Sequence, residues 1–357
     1  MLNVFTLYRV PPDPTRAQAI QVVHSAHALA RRGHHVWLLV DGDYTVWGAG
    51  PLETYGLSWV PSLKVIRLGR NPLGSLQYRA AFLRWLRFGP GKKVVIARSK
   101  RHAREALRWC SGRFHLVVEA HEVDSLLAVE RGEEEQRCRA LERDVFMGAC
   151  GVLANAPGTA HLLQQTWQEG LPPVRVVHNA TSADRVRQPT EDGHGYVVMG
   201  SALPGKDLAT VARAAAVCSE PISLIGPRGA LDGELTRLSE GRLRLCPPIG
   251  YHAVPDRLAE ARAVILPLGD GLFGEHITSP LKLWDYLVCG RPVVAADTQA
   301  IRNIGVERIA RYSVGSAEGL LHALSASQET SCPVPPYCRT WDVRAEEVEA
   351  FLTEVAP

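Results

Sequence analysis

The chain has 357 residues, 46% hydrophobic and 22% charged, the balance of a globular protein too long for one ordinary core. A formal net charge of +3 excludes a nucleic-acid binder working by overall charge, and no nucleic-acid partner is expected. The sequence lacks any run of eighteen apolar residues that could span a bilayer, and residues 1–8 lack the basic start and long apolar core of a signal peptide. The eight cysteines are scattered without a CxxC pair, so neither a zinc ribbon nor a thioredoxin-type site is indicated. Most lie in apolar contexts suited to the core of a reduced protein, and the expected location is cytoplasmic; only Cys332 and Cys338, in a Pro-rich loop, are placed to pair.

Residues 2–7 read as a strand, followed by a Pro-rich loop through Thr15 and a helix over residues 16–32 with Ile20, Val23, Ala26, Leu29 and Ala30 on its apolar face. Gly33 ends that helix and residues 36–40 form the next strand, a unit that implies a parallel sheet with a right-handed crossover. Asp41-Gly42-Asp43 has the D-x-D look of a metal-dependent transferase. Asp and Gly favour a strand-end turn, however, and no acidic cluster follows, so no metal site is assigned.

Between Val60 and His115 the chain carries fourteen Lys or Arg against one acid, Glu105. Within it, residues 78–88 form a basic aromatic helix and Gly89-Pro90-Gly91 ends it. With Phe82, Trp85 and Phe88 available to insert, residues 76–93 could make peripheral contact with an anionic membrane surface. The plainer alternative is a helix packed on the sheet with its arginines solvated. Residues 94–98 and 116–122 are further strands, the latter running into Glu119, His121 and Glu122 at its carboxyl end, where open α/β sheets place ligands. A polar stretch over residues 181–195 links the halves. Residues 196–200 open the second half as a strand, and Lys206 and Lys282 are the only lysines beyond residue 101, in a chain whose default cation is Arg.

Residues 279–292 read as a short helix marked at both ends. Ser279 suits the N-cap, Pro280 the first helical position, Gly290 a left-handed residue past the last turn, and Pro292 forbids continuation. Leu283, Trp284, Leu287 and Val288 share the inward face; Lys282 and Asp285, three apart, share the other. The N–H groups near Ser279, Pro280 and Leu281, with Lys282, suit a phosphate, and Asp285 offers an acceptor for sugar hydroxyls. On pattern alone the same residues also describe a capped surface helix with an i,i+3 ion pair.

The run S-P-L-K-L-W-D-Y-L-V-C-G-R-P-V-V from Ser279 resembles the donor-site signature of GT-B glycosyltransferases, particularly the large retaining group called family 4, usually S-P-x-K-x-x-E-Y-x-x-x-G-x-P-V-V. Other segments are similar to the same family: Gly200-Ser201 through Lys206, where the family commonly has Arg in place of Ser201; Gly250-Tyr251 through Leu258, beside the nucleotide base; and the closing Thr340-Trp341-Asp342-Val343-Arg344-Ala345. The family's E-x7-E pattern puts its first acid at Ile277, two residues beyond Glu275, and its second at Asp285.

The resemblance implies an α/β protein of GT-B fold, two Rossmann-like domains facing a cleft. Residues 1–182 would be the acceptor-binding domain, with helix 341–357 packing back on it, and residues 195–340 the nucleotide-sugar-binding domain. The implied activity is hexosyl transfer from a UDP- or GDP-sugar to a glycan, lipid-linked or small-molecule acceptor, with retention and without metal or other cofactor. Lys206 and Lys282 would stabilise the leaving diphosphate and His121 would orient the sugar or acceptor. Gly200, Ser201, Tyr251, Ser279, Pro280, Leu281 and Asp285 would line the donor, and Arg16, Glu119 and Glu122 stand on the acceptor side. A sugar-nucleotide epimerase using Glu119 and Glu122, or a catalytically silent partner subunit, are the alternatives on the same fold.

Overall fold

The computed structural model describes residues 1–10, 16–41, 50–69, 73–88, 90–129, 131–202, 205–227, 229–307, 309–328 and 338–356. Strands and helices alternate: β1 (Leu2–Val10), α1 (Ala17–Arg31), β2 (His35–Asp41), α2 (Gly50–Glu53), β3 (Leu63–Leu68), α3 (Leu73–Phe88), β4 (Lys92–Ala97), α4 (Lys100–Cys110), β5 (His115–Ala120), α5 (Asp124–Leu127), α6 (Glu135–Gly148), β6 (Gly151–Ala154), α7 (Pro157–Thr166) and β7 (Val174–Val176). These seven strands make one parallel sheet in the order β3-β2-β1-β4-β5-β6-β7. The chain continues through β8 (Tyr196–Met199), α8 (Leu208–Val217), β9 (Ile222–Ile225), α9 (Asp232–Leu238), β10 (Arg244–Cys246), α10 (Val254–Ala259), β11 (Ala263–Leu266), α11 (Leu281–Leu287), β12 (Val293–Ala296), α12 (Gln299–Asn303), β13 (Ile309–Tyr312), α13 (Ala317–Gln328) and α14 (Trp341–Val355). Here the parallel order is β10-β9-β8-β11-β12-β13.

Both sheets therefore run outward in two directions from a central pair, β1/β4 and β8/β11, the doubly wound order whose switch point opens at the carboxyl ends of the strands. Two compact units result: unit 1 holds residues 1–155, 159–179 and 341–357, and unit 2 holds residues 156–158 and 180–340. Strands covered by helices on both faces have no solvent side, which is why they read as unbroken apolar runs. Val293 through Ala296, for example, are all at most 2% exposed. In unit 1, α14 packs along α1.

Three local expectations change. Helix α11 begins at Leu281, with Pro280 in an extended conformation (φ −68°, ψ 109°) at the cap, so Ser279 lies outside the helix instead of capping it. At seven residues α11 is also shorter than expected, although Gly290 does take the left-handed conformation (φ 65°). The aromatic face of α3 points inward: Phe82 and Trp85 are fully buried, their rings 5.1 and 5.2 Å from that of Phe5, and Trp85 Nε1 donates to Asn3 Oδ1 at 2.8 Å. An apolar helical stripe looks the same in sequence whether it meets a sheet or a bilayer. Here the sheet takes it, leaving Leu76, Leu83 and Phe88 exposed among Arg79, Arg84 and Arg87.

Cys110, Cys218 and Cys289 are buried free thiols, as the apolar contexts implied. Pairing of Cys332 with Cys338 lies outside the described residues, as do the Pro-rich loop at 11–15 and Gly42-Asp43 of the D-x-D stretch. Among the described residues no helix is long and apolar enough to cross a membrane, and no three His, Cys, Asp or Glu side chains are grouped as metal ligands would be.

Candidate functional site

In unit 2 the carboxyl end of β8 is clasped by α11. The Met199 N–H donates to Tyr286 Oη at 3.0 Å, and the Met199 carbonyl accepts from Lys282 Nζ at 2.7 Å. The next residue, Gly200, has φ 130°, a conformation open to glycine and costly for other residues. A Cβ there would also press on the end of the Lys282 side chain at Nζ and lie 3.0 Å from Lys206 Nζ, so both ammonium groups close over this residue. Lys206 reaches this point by folding back over its own loop, donating to the Ser201 carbonyl at 2.7 Å with the Ser201 hydroxyl 3.5 Å away. Two lysines 76 positions apart in the chain thus converge on one glycine at the switch point of the sheet.

Among the described residues neither ammonium is paired with a carboxylate. Burial, and then the charge of Lys206, bring the Lys282 ammonium down to about 7, with Asp285 pulling weakly the other way. Burial also lowers Lys206. Two cations held close together, met by neutral oxygens of Met199 and Ser201, form an electrostatically unfinished site that an anion would complete. With α11 only seven residues long, the positive charge here comes from the lysines more than from a helix end.

One turn further along α11, buried Asp285 accepts on Oδ1 from the Thr181 hydroxyl and from Arg185 Nε at 3.0 Å. The sequence pattern allowed an Asp285–Lys282 ion pair; the carboxylate is instead taken by the segment after β7. Arg185 is itself buried, lies 3.8 Å over the Tyr251 ring, and donates from Nη1 to the Tyr251 carbonyl at 2.9 Å. Ser279 and Leu281 are buried beside the start of α11. Ile277 is fully buried, and Glu275 accepts from the Gln299 N–H at 2.8 Å, which ties it to the start of α12.

In unit 1, His121 follows the carboxyl end of β5, half-buried, with Nε2 3.7 Å from Glu119 Oε1 and no hydrogen bond. Burial and the nearby Arg98 guanidinium lower its imidazole to about 4, against the pull of Glu119, so the ring is neutral near pH 7. Glu119 is the hub of a buried network. Its Oε1 accepts from Gln21 Nε2 at 2.6 Å and from Arg344 Nη2; Gln21 Oε1 accepts from Arg98 at 2.7 Å, and Arg344 Nη1 donates to Ser25 Oγ at 2.9 Å. Burial alone would raise this carboxyl, but Arg344, His121 and Arg98 outweigh it and hold Glu119 well below the usual carboxylate range. Glu122 is gripped by Arg131 through two contacts, one of 3.0 Å. Both carboxylates are therefore engaged in ion pairs instead of standing free for proton transfer, which weakens the epimerase alternative. Arg16 is exposed at the cap of α1.

Gln21, Arg98, Arg185 and Thr181 were not singled out by sequence reasoning. Each acts through a partner 77 to 104 positions away, and nothing local marks them. Arg344 alone carried a signal, in the closing W-x-x-R pattern.

Residues 18–185 match a family model described as Glycosyltransferase Family 4. No curated protein matches the sequence. Solved structures do match in fold. Sucrose-phosphate synthase from Thermosynechococcus elongatus superposes with a TM-score of 0.71 at 16% identity, over 100% of this chain and 96% of that one. HepE from Anabaena, in complex with UDP and glucose, gives 0.71 at 14%, over 99% and 100%. WaaG, a glycosyltransferase involved in lipopolysaccharide biosynthesis, gives 0.60 at 16%, over 99% and 95%.

Proposed function

We propose, for a chain with the GT-B glycosyltransferase fold and a family-4 match over its first half, that the activity is hexosyl transfer from a nucleoside diphosphate sugar, with retention and without a metal ion. The observation that carries this is the convergence of Lys206 and Lys282 on Gly200 with no carboxylate to neutralise them. As the bond between the sugar and the diphosphate breaks, negative charge gathers on the leaving group and positive charge on the sugar. Two fixed ammonium groups supply the stabilisation that a divalent cation gives in other transferases, and each preorganised donor of this kind is worth about 3 kcal/mol. Asp285 is assigned to the ribose hydroxyls and Tyr251 to the side of the base. Neutral His121 is suited to accept or donate a hydrogen bond to the sugar or acceptor without adding charge. UDP-sugars are the first donors to test, because HepE was solved with UDP and glucose.

The acceptor is assigned to unit 1, as in the resembling family, and α3 gives it a chemistry. Leu76, Leu83 and Phe88 stand exposed between Arg79, Arg84 and Arg87 on one face. Apolar side chains interleaved with cations suit weak docking on an anionic bilayer, and hence a lipid-linked or otherwise anionic acceptor.

A thermal-shift screen with UDP, GDP and their sugars, followed by a product assay, tests the assignment. Free nucleoside diphosphate identifies a transferase, an isomeric sugar nucleotide an epimerase, and neither product with no thermal shift a silent subunit.

A further inference from the structure

The Asp285 cluster is more elaborate than a surface ion pair requires. Removing both charges from water is costly, and a linker that needed only anchoring could be held by apolar packing. Instead, Thr181 and Arg185 both donate to one oxygen, Oδ1, and no described group donates to Oδ2. Thr181 is itself fixed, its N–H donating to the Arg339 carbonyl at 3.0 Å and its backbone bridged to Thr340. Arg185 is fixed by the Tyr251 ring beneath it and the Tyr251 carbonyl. Its Nη2 is buried without a partner, so the cluster does not satisfy all of its own polar groups.

The chemistry that would complete it is a pair of vicinal hydroxyls. Asp285 lies three residues beyond Lys282 on α11, about 4.5 Å along the helix, a separation suited to a ribose next to its diphosphate. The resembling family places a glutamate here. Aspartate is one methylene shorter, so its carboxylate has less reach and depends more on what orients it. We propose that Arg185 and Thr181 are positioning residues that hold Oδ1 of Asp285, so that Oδ2 is presented to the ribose hydroxyls of the donor. The inference rests on the donor assignment above and adds to it the device that makes the site selective for a ribonucleotide.

The test measures binding of UDP and 2′,3′-dideoxy-UDP by calorimetry to the wild-type chain and to Arg185→Met, Thr181→Val and Asp285→Asn. Wild type should prefer UDP about tenfold or more, the usual effect of losing a hydrogen bond to a charged acceptor. Each variant should weaken UDP while leaving the dideoxy nucleotide nearly unchanged, so that the preference falls toward one. A positioning role predicts this specific loss of preference; a merely structural role would weaken both ligands equally. If Arg185→Met and Thr181→Val keep the wild-type preference, the proposal is wrong. Should Arg185→Met fail to fold, Thr181→Val, a near-isosteric change, carries the decision. Absence of UDP binding by wild type is a different result: it overturns the assignment to a uridine donor, and the measurement is repeated with GDP and its dideoxy analogue.

Discussion

Donor affinity should fall as pH rises through neutrality, by an amount set by Lys282. In the free protein its ammonium sits at about 7, lowered by burial and then by Lys206. Of the other groups facing it, burial raises Tyr286 and brings Cys289 up to about 12, Asp285 is paired with Arg185, and burial lowers Lys206. A diphosphate placed against the two ammonium groups favours the charged form and raises the pKa back toward its ordinary value. Binding then takes up a proton wherever Lys282 is neutral beforehand. The affinity is fully present below pH 7 and lost above it, at about 1.4 kcal/mol, or tenfold, per pH unit. From pH 6 to pH 8 the dissociation constant should rise about tenfold, and by pH 9 about a hundredfold. At pH 8, close to nine-tenths of a proton should be taken up per ligand, roughly the neutral fraction of a group one unit above its pKa. Calorimetry in two buffers of different ionisation enthalpy reads this directly. UDP-glucose is the proper ligand, because its diphosphate, esterified at both ends, has no proton of its own to exchange here. Lys282→Met should bind more weakly with a flat profile. Affinity independent of pH between 6.5 and 8.5, with no proton uptake in wild type, would refute the reasoning.

Lys206→Ala and Lys282→Ala should each lower the transfer rate about a hundredfold or more, measured as nucleoside diphosphate released with acceptor present; near-normal rates in both would sink the donor site. His121→Ala should keep the circular-dichroism spectrum and melting temperature of wild type while turnover collapses, and unchanged turnover returns His121 to a structural role. Activity should survive excess EDTA; loss that Mg²⁺ or Mn²⁺ restores would reopen the question of Asp41-Gly42-Asp43. In co-sedimentation with phosphatidylserine vesicles, wild type should pellet at low salt and be released at high salt, while Leu83→Asp with Phe88→Asp stays in the supernatant at both. A wild-type protein that never pellets removes the membrane contact.

The fold was legible because parallel strands advertise themselves. A run such as Pro292-Val293-Val294-Ala295-Ala296 admits no amphipathic alternative, and glycines and prolines punctuate both of its ends. Lys206 and Lys282 were legible through scarcity, since an arginine-rich chain that keeps only two lysines in its second half uses them for something. What escaped was whatever depends on long-range pairing. Nothing around Arg185 distinguishes it from the other arginines of a polar linker, and its partners lie 66 and 100 residues away. Phe82 and Trp85 left two readings open for a related reason: helical periodicity tells which residues share a face but not what that face meets. The start of α11 slipped by one residue because Pro280 fits the first helical position and the extended cap equally well, and local preference alone does not choose between them.

The chain leaves unit 1 after residue 179 and returns at residue 341, so α14 must wait for all of unit 2 to be made. During synthesis the usual order, N-terminal domain first, is then reversed. Apart from residues 156–158, unit 2 is one continuous run and can close its core while α14 is still in the ribosome. Unit 1 by that stage carries its seven strands but lacks Arg344, leaving Glu119 buried beside one arginine fewer and the surface of α1 uncovered. A nascent chain arrested before residue 341 should therefore present a protease-resistant second half and a sensitive first half. Release of the last helix converts the earliest-made part of the protein into the last to become stable.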